Sequence, residues 1–506
     1  MSRLLSSILS KRLLDGPIAL YGTQAQFGSQ TGVGCRDAIF TIRSILQLRR
    51  YHNLPTWTLY VDLVKAFDTA NHQLLFKLLK KFGVPEHMTG VIERLYKDAE
   101  IKIKIGKEER TIPYSVGVKQ GDNMAPVLFL FLMQALSETL EKEWKKNNIT
   151  IPEFKHFPKS GKGRLLGQDW KAKGKTFELF YLLYVDDGAF NFTDQNDMIK
   201  ASKIIRDTMK RFGLIMHIGV DGGKSKTEAM YYPPTLEEAS KIKNEAPGAE
   251  EATFDVDEGY ITFTRKFKYL GSLITQDLKD NDDIVRRINQ ARAQVRELTN
   301  IWMSKDITTE FKKMLYIQLP LNTALWGAES WTLTAEDERK LESFHHKSIR
   351  RILNINMFEV EAERITNTKL RRKFDNIRNI SEFVKERQLN WLGHLLHLPD
   401  SRQTKKLVNA WVAHPRRGKG QPQHHLRHSF RKALIAAGEI KEDDKKAAFK
   451  DWKTDIQSVT LKEWRAQSKK RLRQWMLEKE RHQERQRTQN RIREALTQET
   501  ALETGN

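Results

Sequence analysis

Two adjacent carboxylates, Asp186 and Asp187, sit within the otherwise apolar run "FYLLYVDDGAF" (180–190). Like charges held side by side repel, so a structure that fixes them needs a compensating positive charge, and a divalent cation can supply it. Mg²⁺ suits this role, because it takes one or two protein carboxylates and completes its shell with water and phosphate oxygens. A solvated turn is the plain alternative for Asp-Asp. That alternative does not serve Asp62, which stands in the strand-like "TWTLYVDLV" (56–64) among apolar and aromatic neighbours, where a lone charge is costly. Two such strands side by side would gather Asp62, Asp186 and Asp187 into a cage for two Mg²⁺ ions roughly 3.5–4 Å apart, as phosphoryl transfer at a polynucleotide end requires.

The elements that must position these acids are legible in outline. The pattern predicts strand, turn, strand across 180–192, with Gly188 after the acids. The first acid's strand extends in "YVDLVKAFD" (60–68). Helical spacing covers most of 1–52, broken at "DGP" (15–17) and at "FGSQTGVG" (27–34), then "NHQLLFKLLKKFG", "MTGVIERLYKD" and "DMIKASKIIRDTMKRFG" (197–213). "MAPVLFLFLMQALSETLEKEW" predicts a long helix whose apolar first half is buried. "AEIKIKIGKEERTIPYSV" alternates like a β-hairpin, 145–175 reads as loop, and "FKYLGSLIT" (267–275) carries a strand signal. Beyond 280 the pattern is helical and basic.

Composition narrows the partners. The 506 residues carry 87 Lys and Arg against 64 Asp and Glu, a formal charge of +23, and the basic residues cluster at 345–351 ("HHKSIRR"), 402–431 and 462–493. A polyanion, nucleic acid first, is the expected partner. No apolar run approaches the roughly 20 residues that span a bilayer, so no membrane is expected. The single Cys35 excludes a disulfide framework and a Cys-rich zinc site, and points to a reducing compartment. "HHLRH" (424–428), without Cys or acids, reads as a nucleic-acid-facing surface rather than a metal site. Trp411, Trp452, Trp464 and Trp475 among basic residues would be stacking surfaces or, at helical spacing, core. Nucleus or cytoplasm is the expected location; "MSRLLSSILSKRLL" is compatible with a mitochondrial leader, and equally with an ordinary amphipathic helix.

At this point five segments, in order, resemble the reverse transcriptase domain of non-LTR (LINE-type) retrotransposons: "YVDLVKAFDTANH", "VGVKQGDNMAPVLFLF", "LLYVDDGA", "GLIMHIGVDGGKSKTEAMYYP" and "FKYLGSLI". The likeness runs on through "RINQARAQVRELTNIW" and "LWGAESWTLTAEDERKLESFHHKSIRRIL" to "RQLNWLGHLLHLPD", covering about residues 18–400. It implies an α+β right-hand polymerase, with a palm built on an antiparallel sheet, fingers, a helical thumb and a basic, mostly helical C-terminal region. The corresponding divisions are 1–57 (partial fingers), 58–276 (palm with fingers insertions), 277–360 (thumb) and 361–506. It also implies an RNA-directed DNA polymerase taking an RNA template, a DNA primer or target and dNTPs.

The resemblance assigns roles by position. Asp62, Asp186 and Asp187 would hold two Mg²⁺ ions. Phe67 would be the steric gate against a 2′-hydroxyl, with a core phenylalanine as the alternative. Gln120 and Gly121 would line the nucleotide pocket, and Lys226 would serve as general acid near pyrophosphate, with Lys224 its competitor. Tyr269, Leu270 and Gly271 would form the primer grip, and Asp68 would be structural. Gln30 stands where the family usually carries Arg, Asp122 and Asn123 replace commoner small residues, and the usual upstream fingers segment and an endonuclease domain are absent from the 506 residues. A catalytically inactive nucleic-acid-binding remnant and an intron-maturase-like RNA-binding protein are the alternatives.

Overall fold

A computed structural model describes residues 2–97, 99–119, 121–156, 174–220, 222–245, 252–408, 410–412, 426–440 and 456–503. The chain forms two compact units, Met1–Lys279 with Asp400–Gln421, and Asp280–Pro399 with Pro422–Asn506.

The described strands all lie in the first unit: β1 (Thr56–Val61), β2 (Glu100–Ile105), β3 (Glu108–Pro113), β4 (Glu153–His156), β5 (Lys175–Glu178), β6 (Tyr181–Tyr184), β7 (Asp187–Phe192), β8 (Glu228–Tyr232), β9 (Thr253–Asp255), β10 (Tyr260–Phe263), β11 (Lys266–Tyr269) and β12 (Ser272–Thr275). Six form one sheet in the order β6-β7-β1-β8-β10-β9. Its pairs are antiparallel, as expected for the palm, except β8 with β10, which is parallel. The helical segment between these two strands, Leu236–Glu245, supplies a crossover of the kind a parallel pair needs.

The sheet is buried on both faces, and the alternation of β1 shows how. Leu59 and Val61 join the core made with Leu128, Phe131, Ala201 and Ile205, from helices Ala125–Lys146 and Gln195–Arg211. Tyr60 points the other way, into a cluster with Ile42, Ile45 and Leu46 of helix Cys35–Tyr51. A strand sandwiched by helices has no solvated face to show, and "TWTLYV" accordingly carries no charge, the buried Thr58 hydroxyl donating to Asn191 Oδ1 at 2.9 Å. Leu407, Ala410 and Val412 return to the second cluster, and the Trp411 backbone pairs with Lys155 through bonds of 2.8 and 2.9 Å.

Several expectations need correcting. The strand bearing Asp62 ends at Val61, where its ladders with β7 and β8 stop; Leu63 still bridges Met216 before Lys65 enters the left-handed region (φ 46°) and starts a short helical turn, Ala66–Thr69. The loop expected at 145–175 contains β4, while 157–173 lie outside the described residues. The strand signal at 267–275 is a hairpin, β11–β12. The break expected at "DGP" is a wide helical turn, Leu14–Ile18, in which Pro17 lacks the N–H that a regular turn would use.

The second unit is helical around a core of Ile284, Ile288, Trp302, Trp331, Leu341 and Phe344. Part of the basic cluster at 345–351 is interior: His345 bonds Tyr316 Oη at 3.0 Å, and His346 lies 3.2 Å from Arg371 Nη1. Burial holds their imidazoles well below the ordinary range, at about 3 and about 4, so both are neutral at pH 7. Trp464 is core as well, its Nε1 donating to Leu389 O at 3.0 Å, and Trp411 is buried in the first unit. Trp475 is half-buried beneath Lys479, whereas Trp452 and His424 and His425 of "HHLRH" lie outside the described residues.

Candidate active site

Strands β6 and β7 are joined by the two residues Val185 and Asp186, with Tyr184 paired to Asp187. Val185 takes φ 60°, a left-handed conformation that a β-branched residue rarely adopts. Strand β1 lies beside β7, and its register ends at Val61 opposite Gly188. Continued by one residue, that register sets Asp62 across from Asp187, where opposed Cβ atoms lie roughly 4.5–5.5 Å apart. The three acids are thus brought together at one end of three adjacent strands.

The electrostatics follow from that placement. Asp187 is pushed up to about 6, first by desolvation and then by the neighbouring charges of Asp186 and Asp62, although the residue is open to solvent at its edge. Asp186 is raised as well, by desolvation and by Asp62. Acids rather than cations dominate the surroundings of both. Such a donor set fits a divalent cation, which would relieve the repulsion. Among the described residues no group of three or more acidic, His or Cys side chains is arranged to hold a metal ion by itself. Asp186 belongs to the turn and Asp187 opens a strand, so their side chains leave the backbone in different directions. A cation here would complete its shell with water and substrate oxygens.

Asp62 is anchored through its main chain. Its N–H donates to Thr227 Oγ1 at 3.2 Å, and its carbonyl accepts from His217 N–H at 2.9 Å. Thr227 follows Lys226, which brings the candidate acid to this end of the sheet; Lys226 is exposed, and its N–H donates to His217 Nδ1 at 3.3 Å. The competitor Lys224 is paired with Glu228 at 3.8 Å.

Phe67 lies in the turn after β1, half-buried, and stacks on Phe129 at 5.0 Å. Its carbonyl accepts from Val118 N–H at 2.7 Å, and a Cβ on Gly117 would press within 3.0 Å of the Phe67 carbonyl, so glycine lets the two segments meet. Gln120 is outside the described residues. Gly121 follows at φ 84°, with open space around it, so the backbone conformation rather than crowding by the protein calls for glycine. The departure at Asp122 has a local reason, since its Oδ1 accepts from Met124 N–H at 3.2 Å just before helix Ala125–Lys146. Asp68 is exposed beside Gly117.

In the β11–β12 hairpin, Leu270 (φ 47°) and Gly271 (φ 80°) are the two turn residues, the backbone signs of a type I′ turn. Tyr269 is buried; burial and the charge of Asp187 push its phenol well up, which sets the hairpin near the acids. Phe267 stacks on Tyr60 at 4.0 Å, and buried Arg43 donates to Ser272 Oγ at 3.1 Å and Leu273 O at 3.3 Å.

Four contributors were not visible in the sequence: Arg43, Thr227, Gln26, whose amide meets Val185, and Arg402, which donates to Gln30 Oε1 at 3.5 Å. Each is a polar residue defined by a distant partner, and no spacing rule announces such a pair.

The family model for reverse transcriptase (RNA-dependent DNA polymerase) matches residues 1–274. The retrovirus-related Pol polyprotein from a type-1 retrotransposable element R2 of Popillia japonica is 29% identical over 145 residues, 28% of this chain and 20% of that protein. The corresponding polyprotein from the type-2 element R2DM of Drosophila melanogaster is 27% identical over 143 residues, 28% of this chain and 13% of that one. The matched stretch thus spans a fifth or less of these relatives. A solved telomerase from Candida tropicalis, in complex with a fragment of telomeric RNA, aligns at TM-score 0.38 and 12% identity over 79% of this chain and 56% of that one.

Proposed function

We propose, from the premise that this chain belongs to the reverse transcriptase family, that it is an RNA-directed DNA polymerase of a non-LTR retrotransposon, extending a DNA primer with dNTPs on an RNA template. The observation that carries this reading is the gathering of Asp62, Asp186 and Asp187 at one end of β1, β6 and β7, where desolvation and then neighbouring acids raise the carboxyls of Asp186 and Asp187. Bound there, two Mg²⁺ ions would lower the pKa of the primer 3′-hydroxyl and offset charge on the phosphate under attack. The three aspartates would hold those ions and thereby orient the reacting groups.

The other residues take positional roles. Phe67, stacked on Phe129, would present a ring edge to the sugar of the incoming nucleotide. Gln120 and Gly121 would shape the pocket wall, Lys226 would hold a proton for the leaving pyrophosphate, and the hairpin of Tyr269, Leu270 and Gly271 would seat the primer end. We place the protein in the nucleus or cytoplasm, with the mitochondrion the less favoured alternative; burial of Leu9 and Leu13 of helix Ser2–Leu13 in the first unit's core supports reading that segment as an ordinary amphipathic helix. No described helix is long and apolar enough to cross a membrane.

The test is Mg²⁺-dependent extension of a DNA primer on an RNA template by the purified chain, beside the Asp186→Asn, Asp187→Asn pair. Incorporation by the parent alone supports the reading. Silence of both with RNA retained would mean an inactive binding remnant.

A further inference from the structure

Edge strand β6 has a partner without regular secondary structure. Phe27 N–H donates to Leu183 O at 2.8 Å and Leu183 N–H donates to Ala25 O at 2.8 Å, so residues 25–27 run alongside β6. Between them Gln26, 3% exposed, turns its amide toward the catalytic turn. Val185 N–H donates to Gln26 Oε1 at 2.8 Å, Gly28 N–H donates to the same oxygen at 2.9 Å, and Gln26 Nε2 faces Val185 O at 3.5 Å. The residue so bracketed is the one non-glycine in the β6–β7 turn at positive φ. Gly28 completes the clasp, because a Cβ there would collide with the Val185 side chain and nitrogen.

We propose that Gln26 is a positioning residue that holds the Val185–Asp186 turn in its left-handed form, so that Asp186 and Asp187 keep their places relative to Asp62. It touches no reacting atom. A glutamine fits the task because one side chain both accepts from an N–H and donates toward the C=O of the same residue; leucine has the size and neither function. A β-branched residue at positive φ persists only where its surroundings over-determine it. The inference rests on the polymerase reading for its kinetic consequence alone.

The experiment compares the parent, Gln26→Leu, Val185→Gly and the double variant, each as the full chain. Hydrogen–deuterium exchange is read over residues 181–190, β1 and helix Ala125–Lys146. Gln26→Leu is expected to speed exchange in the turn about ten-fold while β1 and the helix stay unchanged. In steady-state extension it is expected to lower kcat about ten-fold, leave the dNTP KM within about two-fold and raise the Mg²⁺ concentration for half-maximal rate. Val185→Gly, which accepts positive φ freely, should restore several-fold of the lost kcat in the Gln26→Leu background. Unchanged exchange in the turn overturns the proposal. So does faster exchange spread across the whole unit with kcat following the folded fraction. If the parent itself does not extend primers, the polymerase reading fails, and the exchange result still decides the role of Gln26.

Discussion

At the scale of single residues, Asp187 makes a prediction that runs against the usual behaviour of a carboxylate. Its pKa in the folded chain is raised to about 6, so the folded state binds the proton more tightly than the unfolded chain does. The stabilisation is complete below the ordinary Asp pKa and is lost as pH rises through about 6. Without added metal, Asp187→Asn should therefore raise the thermal midpoint at pH 7.5 and flatten its pH dependence between pH 4 and 7, by no more than about 1 kcal/mol given solvent screening. Calorimetry in a chelator would show it, and a lowered midpoint would contradict the assignment. Phe67 supports a second prediction: Phe67→Val should raise rNTP incorporation relative to dNTP by about ten-fold, the selectivity of a modest steric contact, measured as a ratio of kcat/KM values. Because Phe67 also packs on Phe129, the same change should cost about 1–2 kcal/mol of stability. The three acids were legible because a charge inside an apolar run violates the local pattern. Gln26 and Thr227 were not, since a polar residue in a polar stretch is unremarked until its partner, some 160 positions away, is known.

At the scale of elements, the hairpin β11–β12 depends on a guanidinium from a helix more than 220 positions earlier. Arg43→Met keeps the bulk and removes the bonds to Ser272 Oγ and Leu273 O, so stability should fall by about 1–3 kcal/mol and amide exchange over 266–275 should rise. Unchanged exchange there would show that Tyr60 stacking suffices to hold the hairpin. Helices and hairpins read well from sequence: helix 197–213 is observed at Gln195–Arg211, and β2–β3 forms where alternation predicts it. Strand ends read less well. The ending of β1 at Val61 is set by where its partners β7 and β8 stop pairing, and the parallel β8–β10 pair is set by a crossover, neither of which leaves a periodicity.

At the scale of the whole molecule, the charge of +23 predicts salt-sensitive RNA binding. If six or more phosphates are neutralised, affinity should fall about a thousand-fold between 50 and 200 mM salt, and filter binding across that range would test it; a flat response would remove nucleic acid as the partner of this charge. The basic runs do not all contribute, because His345 and His346 are interior and neutral. Composition could not separate interior from surface basic residues, since only burial tells them apart. The return of Asp400–Gln421 to the first unit has a consequence for synthesis. Translation at about 5–20 residues per second leaves on the order of ten seconds between the emergence of Lys279 and that of Gln421. Throughout that interval Phe154, Leu182 and their neighbours lack Leu407, Ala410 and Val412. The nascent first unit must therefore wait with an apolar face open, a natural binding site for a ribosome-associated chaperone, and a chain cut before residue 400 would never close it.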